Sequence, residues 1–525
     1  METVKISIDG RELDAGKDRT VIQAAEDAGI SIPHYCYHPK LSIAGNCRMC
    51  LVEVEKIPKL QIACNTLVQE GMVVKTQSPQ VLAARRGVLE FLLINHPLDC
   101  PICDQAGECW LQNYYMDYSL EASRFSERKE PERKRQPFGP NVVFDAERCI
   151  KCTRCVRFLD EVTQTHELTV LNRSDDSTIA LFPGKTLDNP LAANVNDICP
   201  VGALTDRDFR FRARVWYLKS TPSICPGCST GCNIHIETYE NRIARFKPRI
   251  NDSVNGHWIC DEGRYCFHGL TGGERLTSPL IRQEGGKLVP ADWDSAVQAA
   301  LIGLRDTEGL AGLLSARSTN EEAFLFARLM RAFSPKATVE VSYQARDLTT
   351  VEKILKSPDR SPNYRGAREM GAGTEPGWES WRDKLLDGDL RALYLAGEDL
   401  LSLFPDPERI LRAIRGLSFL VVQDTTLSPT AELAHVVFPA THFAEKEGTY
   451  TNRRGRVQRV CCACVAPAGA LPDHAIFGRL LAALGHPQAG SNPADVFRQI
   501  TAEIPRYRDL TYESIGGAGV ELEGI

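Results

Sequence analysis

The chain has 525 residues, 43% hydrophobic and 25% charged, with a formal net charge of −6. That length accommodates three or four domains with their own cores, and the charge balance, without basic-aromatic interleaving, argues against nucleic-acid binding. No apolar run approaches the roughly 18 residues of a membrane span, and the N-terminus lacks a signal peptide's basic-then-apolar order; a cytoplasmic protein is expected, held at a membrane only through partners.

Residues 3–8 alternate apolar and polar, and Asp9-Gly10 is a hairpin signal. Thr20 can cap a helix through Val21, Ala24 and Ala25 that stops at Gly29. A cysteine loop follows, with Cys36, Cys47, Cys50 and Cys64 at C-x10-C-x2-C-x13-C. Strand, strand, helix and cysteine loop is the order of a β-grasp ferredoxin. The first gap exceeds the C-x4-C of plant-type [2Fe-2S] proteins, so the pattern is a variant. A zinc knuckle would usually pair two C-x2-C hooks, and only one is present.

Residues 79–95 have helical apolar spacing and lead to His96, Cys100, Cys103 and Cys109, at H-x3-C-x2-C-x5-C. One imidazole and three thiolates in one short segment can close around a metal centre. Replacing a thiolate by a neutral imidazole makes a cluster less negative and should raise its potential. Residues 124–136 mix both charge signs with a proline and suggest a solvated linker.

Cys149, Cys152 and Cys155 form C-x2-C-x2-C, and Cys199-Pro200 lies downstream. Bacterial two-cluster ferredoxins write C-x2-C-x2-C-x3-C-P twice. A second cluster here would need ligands at Leu159, Asn189, Ala192 and Val195, so one centre is expected. A fourth tetrad, Cys225, Cys228, Cys232 and Cys260, has C-x2-C-x3-C…C spacing. Strand-like runs at 234–237 and 243–246, around a turn at Glu240-Asn241, suggest a small β layer beside it.

From about 276, helical patterns at 294–304 and 321–333 alternate with β runs at 393–396 and 419–423, the signature of an α/β domain with a parallel sheet. Segment 357–378 suggests a loop or shortened insertion, and 512–525 a frayed end. Cys266 and the Cys461, Cys462 and Cys464 group are expected to be buried thiols, the latter three in a core strand. Fifteen of the nineteen cysteines fall before residue 261 in tight groups, which favours metal sites over a secreted disulfide framework.

These four tetrads, with Cys199-Pro-Val-Gly-Ala-Leu-Thr-Asp-Arg207 and Val254-Asn-Gly-His-Trp-Ile-Cys-Asp-Glu-Gly-Arg264, resemble the iron–sulfur subunit of NADH:quinone oxidoreductase (complex I). The back of the chain resembles the molybdopterin-oxidoreductase fold through Ser315–Glu322, Glu398–Leu401, His435–Ala440 and Glu447–Arg454. The resemblance implies an α+β multidomain chain. Its parts would be a β-grasp [2Fe-2S] domain (1–78), a His/Cys [4Fe-4S] module (79–120) and a single-cluster ferredoxin-like domain (138–218). A small [4Fe-4S] domain (219–275), a truncated molybdopterin-oxidoreductase-like domain (276–490) and a C-terminal tail (491–525) would follow.

It further implies one [2Fe-2S] and three [4Fe-4S] clusters on the sixteen residues named, a flavin/NADH-binding iron–sulfur partner, a thioredoxin-like [2Fe-2S] partner and a downstream acceptor. No molybdopterin is expected. Residues 340–350 lack the family's Cys or selenocysteine ligand, Glu262 replaces the Lys of C-x-K-G-R, and there is no room for a pterin-clamping domain. No dinucleotide fingerprint or Walker loop follows a strand, so nicotinamide and flavin should bind elsewhere. Three readings compete with a complex I-like conduit: an electron-transfer subunit of a soluble NAD-linked hydrogenase, formate dehydrogenase or bifurcating reductase; a molybdenum or tungsten enzyme; and a zinc-stapled scaffold.

Overall fold

The computed structural model describes residues 2–305, 307–373, 377–486 and 492–522. They form two compact units, residues 1–218 and 219–525.

The first unit opens with a five-stranded sheet in the order Arg11–Gly16, Thr3–Ile8, Met72–Lys75, Leu51–Val54, Gln61–Ile62. Asp9 and Gly10 both have positive φ, 48° and 83°, as a tight two-residue hairpin turn requires. Thr3–Ile8 runs parallel to Met72–Lys75. The helix Val21–Asp27 packs Val21, Ile22 and Ala25 against Ile6, Ile8, Val52 and Val74. Its start is fixed by Gln23, whose side-chain oxygen accepts from the Thr20 N–H at 3.0 Å.

The helix Pro79–Leu93 begins with proline at its first position and Ser78 accepting from the Val81 N–H. It buries Val81, Arg85 and Leu89. A second helix, Trp110–Tyr118, follows, and the Arg85 guanidinium lies 5.1 Å from the Tyr118 ring centre. Beyond them a three-stranded sheet (Gln136–Pro137, Val142–Phe144, Leu204–Asp206) and the helices Arg154–Glu161 and Asn194–Ile198 frame the next cysteines.

The linker expected at 124–136 is largely exposed, as a solvated segment should be, but it is tethered to the fold at two lysines. Lys129 donates to the carbonyls of Leu93 and Ile94 at 2.7 and 2.6 Å, at the open C-terminal end of the helix, and Lys134 pairs with Asp99 at 2.8 Å. Cations are favoured at a helix C-terminus by its exposed carbonyls.

The second unit starts with an antiparallel layer, Lys219–Ile224, Asn233–Tyr239 and Arg242–Pro248. Its turn residues Glu240 and Asn241 both have positive φ. The main sheet has seven strands in the order Leu288–Pro290, Leu280–Arg282, Val436–Pro439, Phe419–Asp424, Ala392–Ala396, Leu310–Leu314, Thr338–Val341, the last five mutually parallel. Phe326, Met330 and Phe477 cover one face, and Trp381, Leu385, Ile410 and Ile414 the other. Coverage on both faces explains why Ala392–Ala396 is apolar and buried throughout. Among the described residues no helix is long and apolar enough to cross a membrane.

Three local expectations fail. Segment 357–378 contains a helix, Tyr364–Glu369, anchored through buried Asn363, which accepts from the Thr451 N–H at 2.7 Å; residues 374–376 lie outside the described set. The end expected to fray forms the helix Tyr512–Ile515 and the strand Val520–Glu521, paired with Arg456–Val460; residues 523–525 lie outside the described set. Cys461, Cys462 and Cys464 follow that strand's end instead of lying in it, and Cys462 is exposed.

Candidate metal centres

None of the nineteen cysteines is disulfide-bonded. Their loops turn on left-handed residues: Arg48 between Cys47 and Cys50, Gly107 between Cys103 and Cys109, Lys151 and Thr153 between Cys149 and Cys155, and Gly231 between Cys228 and Cys232. Such turns aim successive backbone N–H groups into a concavity that suits an anionic group. Several reach sulfur: the Cys36 N–H donates to Cys47 Sγ at 3.5 Å, Lys151 N–H to Cys149 Sγ at 3.4 Å, and Gly263 N–H to Cys260 Sγ at 3.2 Å.

The structure gathers the predicted residues in sets. His96, Cys100, Cys103 and Cys109 line one cavity, with Asp99, Arg148 and Gly202. Cys149, Cys152, Cys155 and Cys199 line a second, and Cys225, Cys228, Cys232 and Cys260 a third. In the first sheet domain the cysteines pair, Cys36 with Cys47 and Cys50 with Cys64, through thiol hydrogen bonds.

Burial sets the protonation of the groups that line these cavities. Burial pushes Cys103 up, Cys109 up to about 11 and Cys199 up to about 12, so bare thiolates are disfavoured there and iron would supply the missing positive charge. Burial, with Lys129 and Arg148 nearby, pushes the His96 imidazole down to about 4, leaving the neutral form that ligates.

Among the described residues no three His, Cys, Asp or Glu side chains are arranged to hold a single metal ion.

Within the first unit the sites share walls. Arg148 faces the His96 cavity while Cys149 faces the next. Likewise Gly202 lines the former, and Cys199, Val201 and Ala203 the latter. A Cβ on Gly202 would lie 2.3 Å from Cys103 Sγ, so only glycine lets this wall be one residue thick. Towards the first tetrad, Arg157 Nη2 donates to the carbonyls of both Cys36 and Cys152, at 2.6 and 3.3 Å. Asn46 Nδ2 donates to the Lys151 carbonyl at 3.2 Å. The positions where a second ferredoxin cluster would have its ligands, Leu159, Asn189, Ala192 and Val195, are all buried, and Asn189 donates to Glu167 at 2.8 Å.

Sequence reasoning missed one group at these sites and read another, Cys266, as a plain buried thiol, whereas it is only partly buried. Lys356 lines the Cys225 cavity from a segment nearly a hundred residues downstream of Cys260. Cys266 is hydrogen-bonded to Cys225 and donates to the Gly263 carbonyl at 3.2 Å; its closeness to Cys260 in sequence was the available hint.

Cysteine sets gathered ahead of an α/β region mark a multi-centre iron–sulfur protein. Family models agree: a 2Fe-2S iron-sulfur cluster binding domain over residues 1–79, an NADH-ubiquinone oxidoreductase-G iron-sulfur binding region over 85–124, and the ferredoxin-like domain of NADH-quinone oxidoreductase subunit 3 over 139–205. A molybdopterin oxidoreductase Fe4S4 domain matches 218–277, and a molybdopterin oxidoreductase model 363–483.

The chain is similar to the 75 and 78 kDa subunits of NADH-ubiquinone oxidoreductase. It is 50% identical over 297 residues to the mitochondrial 78 kDa subunit of Neurospora crassa, covering 56% of this chain and 39% of that one. It is 42% identical over 368 residues to the 75 kDa subunit of Reclinomonas americana, covering 69% and 53%. It is 46% identical over 297 residues to the mitochondrial 78 kDa subunit of Candida albicans, covering 56% and 41%. The chain thus spans about half the length of these relatives or less. A crystal structure of an NAD+-reducing [NiFe]-hydrogenase is also similar, at 30% identity and a TM-score of 0.37, over 40% of this chain and 91% of that one.

Proposed function

We propose that the chain is the electron-transfer subunit of an NADH dehydrogenase-type complex, carrying electrons from a flavin/NADH-binding iron–sulfur partner to a downstream acceptor. A thioredoxin-like [2Fe-2S] subunit is a further expected partner. The observation that carries this is the shared wall: Arg148–Cys149 and Cys199–Ala203 each send neighbouring residues into two different cysteine cavities. A row of redox centres needs such thin partitions, whereas independent zinc staples do not.

In this reading Cys36, Cys47, Cys50 and Cys64 hold a [2Fe-2S] cluster. Three [4Fe-4S] clusters take His96 with Cys100, Cys103 and Cys109; Cys149, Cys152, Cys155 and Cys199; and Cys225, Cys228, Cys232 and Cys260. Bound clusters supply reversible one-electron chemistry. The chain's own residues hold the sulfurs, exclude water by burial, and direct N–H donors at the sulfurs, which stabilises the more negative reduced state.

The domain limits proposed are 1–78 for a β-grasp ferredoxin, 79–120 for the His/Cys module, 138–218 for a ferredoxin-like domain, 219–275 for the fourth-cluster domain, 276–490 for a pterin-free scaffold and 491–525 for the tail. Work on the cytoplasmic side, peripheral to a membrane through partners, fits this assignment.

Isolation of the native assembly tests it. Flavin- and quinone-module chains should copurify, and NADH should bleach the iron–sulfur absorbance of the complex. Copurification with hydrogenase or formate dehydrogenase subunits would move the chain to a soluble NAD-linked complex. A pterin carrying molybdenum or tungsten in this chain would overturn the proposal.

A further inference from the structure

The fourth cysteine site has a charged neighbour that its motif does not contain. Lys356 lines the cavity of Cys225, Cys228, Cys232 and Cys260, and its side chain is only 4% exposed. Its Nζ is paired with Glu262 and with Glu352, the latter at 2.9 Å. Glu262 is also held by Arg346 and Arg360, at 2.9 and 3.1 Å. Three cations thus surround two carboxylates, and of the three only Lys356 itself lines the cavity.

The segment that delivers Lys356 also clamps the cysteine loop. Thr230 Oγ1 donates to the Leu355 carbonyl at 3.0 Å, the Ser229 N–H donates to the Asp359 carbonyl at 3.0 Å, and Ser229 Oγ donates to Ser357 Oγ at 2.9 Å. Ser229 and Thr230 lie between Cys228 and Cys232. Backbone and side-chain contacts therefore fix Lys356 relative to the sulfurs.

We propose that Lys356 is the cation that tunes this site, raising the reduction potential of the cluster held there, and that Glu262 offsets part of its charge. The proposal rests on the reading that these four cysteines hold a [4Fe-4S] cluster. Four thiolates make the loaded site anionic, and one-electron reduction adds a further negative charge. A fixed cation in a water-poor setting favours the reduced form more than the oxidised one. Glu262, which reverses the charge of its own motif position, is answered by a lysine from another part of the chain.

The test is a dithionite redox titration of the anaerobic full chain followed by EPR. The fourth centre is identified as the signal absent from Cys232→Ala. Lys356→Met should lower its midpoint potential, Lys356→Arg should hold it near wild type, and Glu262→Gln should raise it. Unchanged potentials in Lys356→Met and Glu262→Gln, with the cluster present, would overturn the proposal. If Lys356→Met sheds the cluster, Glu262→Gln decides: an upward shift supports the assignment, and a null or downward shift overturns it. A wild-type chain with no signal dependent on Cys232 would instead defeat the underlying cluster reading.

Discussion

The guanidinium of Arg154 lies 4.6 Å from the centre of the Trp110 indole ring. Trp110 follows Cys109, and Arg154 sits between Cys152 and Cys155, so this contact joins two cysteine sites. Arg154 also donates to the Tyr37 carbonyl, next to Cys36, and to the Ile198 carbonyl, next to Cys199, at 3.1 Å for the latter. One buried cation thus fastens loops belonging to three sites. Arg154→Ala should destabilise the first unit by about 3 kcal/mol or more, since it removes a buried charge together with its stacking and hydrogen bonds. Denaturant titration with retained iron as a second readout checks this.

Gly202→Ala makes a sharper prediction. Its Cβ would press on Cys103 Sγ at 2.3 Å and on Gln105 Cβ at 3.0 Å. Cys103 cannot retreat without leaving the cavity, so the variant should lose about four irons per chain and the signal of the His96 site. Iron analysis with EPR measures both, and full retention of that signal would contradict the shared wall.

His96→Cys should keep a cluster at that site and lower its midpoint potential, because a fourth thiolate adds negative charge. EPR-monitored titration measures the shift. A raised potential would argue that His96 is not a ligand.

In the second unit Lys446 Nζ lies 2.8 Å from Glu322 and 2.6 Å from Asp473, all three buried. Burial raises the Glu322 carboxyl to about 8 against the pull of Lys446. Its folded value thus lies above the unfolded one, so its contribution is fully present below the ordinary carboxylate range and is lost as pH rises to about 8. Glu445 behaves oppositely: burial raises it, but Arg275 and His442 outweigh that and hold it at about 2. Its contribution is present above the ordinary carboxylate range and is lost as pH falls towards 2. Thermal midpoints of the full chain should therefore fall between pH 5 and 8, and Glu322→Gln should flatten that slope. Lys446→Met, which leaves the buried carboxyl groups of Glu322 and Asp473 without their cation, should cost about 3 kcal/mol or more.

Much of this architecture was legible because it is local. The spacing of Cys149, Cys152 and Cys155 puts three thiols in one short loop whatever surrounds it, and Thr20 marks a helix start by its own chemistry. The alternating patterns at 294–304 and 393–396 likewise reveal an α/β layer. What could not be read depends on distant partners. The mixed charges of 124–136 mark a solvated segment but do not reveal that Lys129 and Lys134 tether it to Leu93, Ile94 and Asp99. Lys356 carries no motif, and only the fold brings it to the Cys225 cavity. The end at 512–522 has weak intrinsic signals and is ordered by pairing with Arg456–Val457.

The most direct test of the central claim is the metal content of an anaerobically prepared full-length sample, read with EPR during stepwise reduction. The account predicts about fourteen iron and fourteen acid-labile sulfide per chain, with one [2Fe-2S] and three [4Fe-4S] signals. A colourless, zinc-loaded protein without labile sulfide, silent on reduction, would contradict it.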